Sequence, residues 1–204
     1  MKKYLIKSLP YILITIALTV ILITAGWMSR KSNYVNGYNH IYRGQILDLA
    51  YYPKPLIKLS ARASYLNTDQ YLAMPAKLAV EMMINDAERD GLCLIVLSGY
   101  RSPVEQQKLL DFADPKDKIK IASAGQSEHQ TGLAVDLGGC PMSNGTRNDN
   151  VSRDELKNSF DTLPEYQWLL QNASKYGFEQ SFTKENEKMT GYPYEPWHFK
   201  FLIK

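Results

Sequence analysis

The segment SEHQTGLAVDLGG, Ser127 to Gly139, sets His129 seven positions ahead of Asp136, and the C-terminal run YEPWHFKFLI places His198 shortly after Glu195. The chain holds three histidines, so two of them fall in these segments, each beside a carboxylate. From Thr131 to Gly138 the side chains alternate. Thr131, Leu133, Val135 and Leu137 make an apolar face, and Gly132, Ala134, Asp136 and Gly138 a nearly bare one, as in a strand packed on one side. The bare face leaves open volume above the sheet where a metal or a substrate could sit. His129 has the opposite parity to Asp136, so a regular strand would send the two apart, and a turn near Gly132 is needed to bring them together. The i, i+4 stacking of a helical HExxH site is not available at this spacing. In the C-terminal run Trp197, Phe199, Phe201 and Ile203 share one face, and His198, Lys200 and Leu202 the other. Pro196 ends ladder bonding at the strand's start and leaves Glu195 in the preceding turn. If the two strands are neighbours, His129, Asp136 and His198 supply two nitrogens and one carboxylate oxygen. That is the open donor set of a catalytic zinc with water in the fourth position.

The surrounding elements must position these groups. Met74 to Asp90 has apolar residues at Leu78, Ala79, Met82, Met83 and Ala87, the spacing of a helix with one buried face, and Gly91 is a suitable stop. Leu92 to Leu97 is a short apolar run that reads as a strand buried on both sides. After it, Ser102, Pro103 and Glu105 form a capping box that opens a helix carrying Gln106, Leu109 and Leu110. Arg101 is left in the loop between strand and helix, where a charged side chain can reach into a cleft. Thr162-Leu-Pro-Glu165 reads as a second capping box, opening a helix that stops at Gly177. The order helix, strand, helix, strand, helix, strand predicts an α+β domain with a small, mostly antiparallel sheet and flanking helices.

At 204 residues the chain has room for one domain and an appendage. The net charge of +3 is weak, with no basic stripe and no nucleic-acid motif, so nucleic acid is not an expected partner. Pro10 to Met28 is an uncharged apolar run long enough to cross a bilayer. Lys2, Lys3 and Lys7 precede it, which favours an inside N-terminus and a single-pass membrane protein whose bulk lies outside the cytoplasm. The expected division is a cytoplasmic start and transmembrane anchor over 1–28, a juxtamembrane stalk over 29–67 and the catalytic domain over 68–204. Cys93 and Cys140 flank two of the strands and would be permitted to pair outside the cytoplasm.

With these residues assembled, the chain resembles the zinc D-alanyl-D-alanine carboxypeptidases of the VanY type and their L,D-carboxypeptidase relatives. The likeness runs from about Tyr71 to Phe201. It is carried by Ser98-Gly-Tyr-Arg-Ser102 with Gln106, by Ser127-x-His129-x-x-Gly132-x-x-x-Asp136, by Tyr176-Gly-Phe178 and by Glu195-Pro-Trp-His198. Many relatives continue past the last of these motifs into another helix or tail, whereas this sequence stops at Lys204. The resemblance implies zinc as cofactor, held by His129, Asp136 and His198, with Glu195 as catalytic base and Arg101 steadying the oxyanion or the substrate. It implies substrate contacts at Ser127, Gln106, Tyr100 and Trp197. The expected activity is removal of the terminal D-alanine from peptidoglycan stem peptides. The alternatives are an L,D-carboxypeptidase acting on the tetrapeptide and a non-catalytic wall-binding domain.

Overall fold

The computed structural model describes residues 39–140, 142–143, 146–147 and 151–203. The apolar run Pro10 to Met28 lies outside them, and among the described residues no helix is long and apolar enough to cross a membrane. The architecture is α+β. A two-stranded ribbon pairs β1 (Leu56–Lys58) with β2 (Tyr71–Ala73), and β2 runs directly into helix α1 (Met74–Arg89). The central sheet contains β3 (Leu94–Ser98), β4 (Ala134–Gly139), β7 (Phe178–Gln180) and β8 (His198–Phe201), in the order β3-β4-β8-β7 with every pair antiparallel. Between the strands come α2 (Pro103–Phe112), a short ribbon of β5 (Met142–Ser143) and β6 (Thr146–Arg147), α3 (Arg153–Asn158), α4 (Pro164–Asn172) and α5 (Glu187–Thr190).

The sheet is buried on both faces except at the edge strand β7, where Glu179 is exposed. Leu94, Val96, Val135, Leu137, Phe178 and Phe199 join the main core beneath α1 and α4. Ile95 and Leu97 point the other way, into a smaller cluster with Tyr65 and Leu156. The period-two alternation of β4 and β8 puts Asp136, His198 and Lys200 on that second side. Here the structure corrects the expectation of open volume above the whole bare face. A Cβ on Gly138 would lie 3.0 Å from the Leu97 side chain, so Leu97 fills that position and the opening is confined to Asp136.

Two local readings also change. Helix α1 buries Ala76, Val80, Met83, Ile84 and Ala87, while Leu78 and Met82 are 52% and 60% exposed. Both stripes obey helical spacing and share Met83 and Ala87. Packing selects the one with small residues at its start, which lets the first turn lie close to the ribbon and sheet. At α4, Thr162 is not the cap. Its hydroxyl donates to Ser159 O at 2.6 Å and closes a 3-10 turn, so α4 begins at Pro164 with no side-chain cap. Glu165 is released and accepts from the Cys93 backbone N–H at 3.3 Å. The Ser102–Glu105 capping box is present as expected, and a second one forms at Ser152 and Glu155, opening α3.

Cys93 and Cys140 are joined by a disulfide with their Cα atoms 5.3 Å apart. It clamps the β3–β4 pair at the end opposite Asp136, next to the Cys140 N–H to Cys93 O hydrogen bond of 2.8 Å. Closing a loop across 47 positions removes chain entropy from the unfolded state. By that measure, replacing both cysteines by serine lowers unfolding free energy by about 4 kcal/mol. Denaturant titration of the double variant measures the loss. A midpoint equal to that of the parent would show that the bridge contributes nothing.

Candidate metal centre and active site

His129 sits in a 3-10 turn, Glu128–Thr131, whose geometry is set by its own sequence. The Thr131 hydroxyl donates to Glu128 O at 2.6 Å and accepts from the Leu133 N–H at 3.0 Å, which ties the turn to the strand that follows. Gly132, at φ 69°, takes the left-handed conformation that reverses the chain. This is the turn that the parity of His129 and Asp136 requires. Asp136 lies directly opposite His198 across the β4–β8 pair.

Three ligand atoms therefore meet. His129 Nε2 is 3.2 Å and His198 Nδ1 3.0 Å from Asp136 Oδ1, and all three residues are buried. One atom from each lies within 4.8 Å of the other two. A tetrahedral zinc with bonds of about 2.0–2.1 Å needs its ligand atoms about 3.3 Å apart, so the set fits. The outer nitrogens are already engaged: His129 Nδ1 donates to Gly99 O at 2.7 Å, and His198 Nε2 donates to Glu128 Oε2 at 3.0 Å. Such partners fix ring orientation and turn the opposite nitrogen inward. Gly99 must be glycine for this to work, since a Cβ there would lie 2.6 Å from Tyr71 O.

The electrostatics agree with a cation site. Burial and the Arg101 guanidinium push the His129 imidazole down to about 4, which leaves it neutral with a lone pair to offer. Burial opposes charge on His198 too, but hydrogen bonds and charge from Asp136 and Glu128 outweigh it and push the ring up to about 10. Burial alone would raise the Asp136 carboxyl, yet Lys157 and the two histidines hold it well below the usual carboxylate range. The buried carboxylates thus make this point favour positive charge.

Glu195 lies one turn before His198, with its Oε2 3.9 Å from His198 Nδ1 and its side chain 21% exposed. Burial, reinforced by the carboxylates of Asp136 and Glu128, pushes its carboxyl up to about 7, despite the opposing charges of His198 and Lys157. A carboxylate of that basicity is suited to take a proton at neutral pH. Its backbone is held by an N–H donated to Phe182 O at 3.0 Å. Arg101 donates to Ser98 Oγ at 2.8 Å and to Gln106 Oε1 at 3.0 Å, and its backbone N–H donates to His129 O.

A cleft of about 150 Å³ joins Arg101, Gln106, Ser127, His129, Asp136, Glu195, Trp197 and His198. Tyr100 is not in it. Its ring packs edge-on against Tyr52 at 5.7 Å and lines an adjoining groove that shares Arg101. Gln106 is engaged by Arg101 and by Ala122 O at 2.7 Å, so it braces the arginine. Trp197 lies in the turn before β8 rather than in the strand, with the Lys157 ammonium 5.3 Å over its ring.

Two residues that touch the candidate site escape sequence reasoning. Lys157, on α3, donates to Asp136 Oδ2 at 2.6 Å and lines the cleft. The Ser152–Glu155 capping box could have announced its helix, but nothing local says where the lysine points. Glu128 is 2% exposed and receives His198. Its one sequence signal is Lys200, an apolar-strand lysine that must find an anion if buried; it is fully buried, 3.7 Å from Glu128.

Comparison with known proteins gives a consistent picture. Residues 69–204 match the family described as VanY, D-alanyl-D-alanine carboxypeptidase. The Bacillus subtilis strain 168 protein YodJ is 36% identical over 140 residues, covering 66% of this chain and 48% of that protein. The chain spans about half the length of the curated relatives it matches. The solved structure of the LdcB LD-carboxypeptidase superposes with a TM-score of 0.67 at 30% identity, over 83% of this chain and 79% of that one. The vancomycin-resistance D,D-pentapeptidase VanY, solved in complex with Zn(II), shares the fold at a TM-score of 0.60 and 23% identity, over 82% and 88% of the two chains.

Proposed function

The chain belongs to the VanY family of D-alanyl-D-alanine carboxypeptidases, and we propose that it is a zinc metallopeptidase that removes the terminal D-alanine from peptidoglycan stem peptides. The observation that carries this is the convergence of His129, Asp136 and His198 in one cleft with Glu195 beside them and Arg101 in the same lining. Zinc bound by the three ligands would supply Lewis acidity, polarising the scissile carbonyl and making water acidic enough to attack near neutral pH. Glu195 takes the attacking water's proton and delivers it to the leaving amine. Arg101, braced by Ser98 and Gln106, faces the negative charge that develops at the carbonyl oxygen, a role worth about 3 kcal/mol in a dry site. Ser127 and Trp197 line the cleft where the terminal residue would sit.

A second reading has a specific observation behind it. The likeness to the LdcB LD-carboxypeptidase supports an L,D-specific enzyme that acts on the tetrapeptide. Incubation with pentapeptide and tetrapeptide separately, followed by mass spectrometry, separates the two. Loss of alanine from the pentapeptide alone supports D,D-specificity, and loss from the tetrapeptide alone overturns it. A non-catalytic wall-binding role is disfavoured by Glu195, since a binder has no use for a base beside its metal.

The setting we propose is the outer face of the cell membrane, with Pro10 to Met28 as anchor, residues 29–67 as a juxtamembrane segment whose described part packs against the domain, and 68–204 as the catalytic domain. The Cys93–Cys140 disulfide supports it, because such bonds persist in oxidising compartments.

A further inference from the structure

Among the described residues Glu128 accepts four hydrogen bonds beside the cleft, and two of the four donors come from far upstream. Its Oε2 accepts from His198 Nε2 at 3.0 Å and from the Ser181 hydroxyl at 2.5 Å. Its Oε1 accepts from His40 Nδ1 at 2.8 Å and from the Ile41 backbone N–H at 3.0 Å, with the Lys200 ammonium 3.7 Å away. His40 and Ile41 precede the family match, which begins at residue 69. Their segment is not loosely laid on the domain. Ile41 and Leu47 are buried, Arg43 N–H donates to Thr190 O, Leu47 N–H donates to Gly125 O, and Asp48 O accepts from the Gln130 side chain.

We propose that Glu128 is the positioning residue for His198 and that His40 and Ile41 complete its hydrogen-bonding shell, so that the metal-binding unit of this chain extends upstream of the family match to include His40 and Ile41. The proposal rests on the reading of His198 as a zinc ligand. A carboxylate that holds the outer N–H of a ligating histidine fixes the ring and raises the basicity of the nitrogen that faces the metal. A carboxylate free to swing would do neither. Four hydrogen bonds, two to each oxygen, keep this one from rotating, and two of the four donors belong to the upstream segment. Lys200 balances its charge, so the carboxylate can stay ionised in a dry environment.

The test uses the full chain and two variants, Glu128→Gln and His40→Ala. Zinc affinity is read by competition with a chromophoric chelator, ligand geometry by the visible spectrum of the cobalt-substituted protein, and folding by the melting temperature after chelation. Glu128→Gln should weaken zinc binding about 10- to 100-fold and shift the cobalt bands. His40→Ala removes one donor and leaves the charge, so it should act in the same direction by the few-fold worth of a single hydrogen bond, on the order of threefold or more. Either variant binding zinc within twofold of the parent with an unchanged cobalt spectrum overturns the proposal, including when only its melting temperature falls. Should Glu128→Gln fail to fold, His40→Ala decides alone by the same criterion. A parent chain that binds no zinc would instead refute the metallopeptidase reading itself, a different outcome from variants that match a zinc-binding parent.

Discussion

Replacing Glu195 by glutamine should leave one zinc bound per chain and reduce kcat by about 10²- to 10⁴-fold, with KM little changed. Glutamine keeps the size and the backbone anchoring of Glu195, which depends on its N–H to Phe182 O and not on the carboxylate. Glu195 is not among the three converging ligands, so the metal set survives. What is lost is the ability to accept a proton. Burial and the nearby carboxylates raise this carboxyl above the ordinary carboxylate range, which favours its accepting the water's proton. Steady-state kinetics on a stem peptide, paired with elemental analysis of the same sample, checks both halves. Undiminished kcat would remove Glu195 from its role, and lost zinc would make it part of the metal set.

His198→Ala is expected to be more severe, because it removes a ligand where Glu195→Gln removes a base. Two converging groups, His129 and Asp136, remain, and Asp136 loses the ring that fixed Oδ1 at 3.0 Å. Zinc affinity should fall by more than the roughly 10- to 100-fold typical of losing an outer partner of a ligand. Activity should fall with it to near background at ordinary zinc concentrations. The fold should persist through the Phe199 side of β8, which is packed in the main core away from the site. The informative measurement is zinc content after dialysis, with circular dichroism to confirm folding. Zinc content equal to the parent's would remove His198 from the ligand set.

The metal site was legible in the sequence because its geometry is local in two pieces. The alternation of β4 and the mismatched parity of His129 demand a turn at Gly132, and the C-terminal strand repeats the arrangement around His198. Only the adjacency of the two strands had to be supposed. What could not be read was set by residues distant in the chain. Glu128 sits next to a ligand, yet its partners His40, Ser181 and His198 lie 88, 53 and 70 positions away. Lys157 meets Asp136 from 21 positions away, on a helix with no signal for its direction. The same limit explains the two shifted details of the helices. Leu78 and Val80 both fit a helical stripe, and only the sheet beneath selects between them. Thr162 could cap a helix or close a 3-10 turn, and Glu165 left the cap for the Cys93 N–H across the fold.

We propose that zinc held by His129, Asp136 and His198 lets this chain hydrolyse a peptide bond at a D-alanine terminus. It is tested most directly by incubating the zinc-loaded chain with a muramyl pentapeptide ending in D-alanyl-D-alanine and weighing the product. The expected result is loss of a single alanine, abolished by chelation and restored by added zinc. An intact pentapeptide with zinc demonstrably bound, or the same cleavage persisting after the metal is removed, would contradict it.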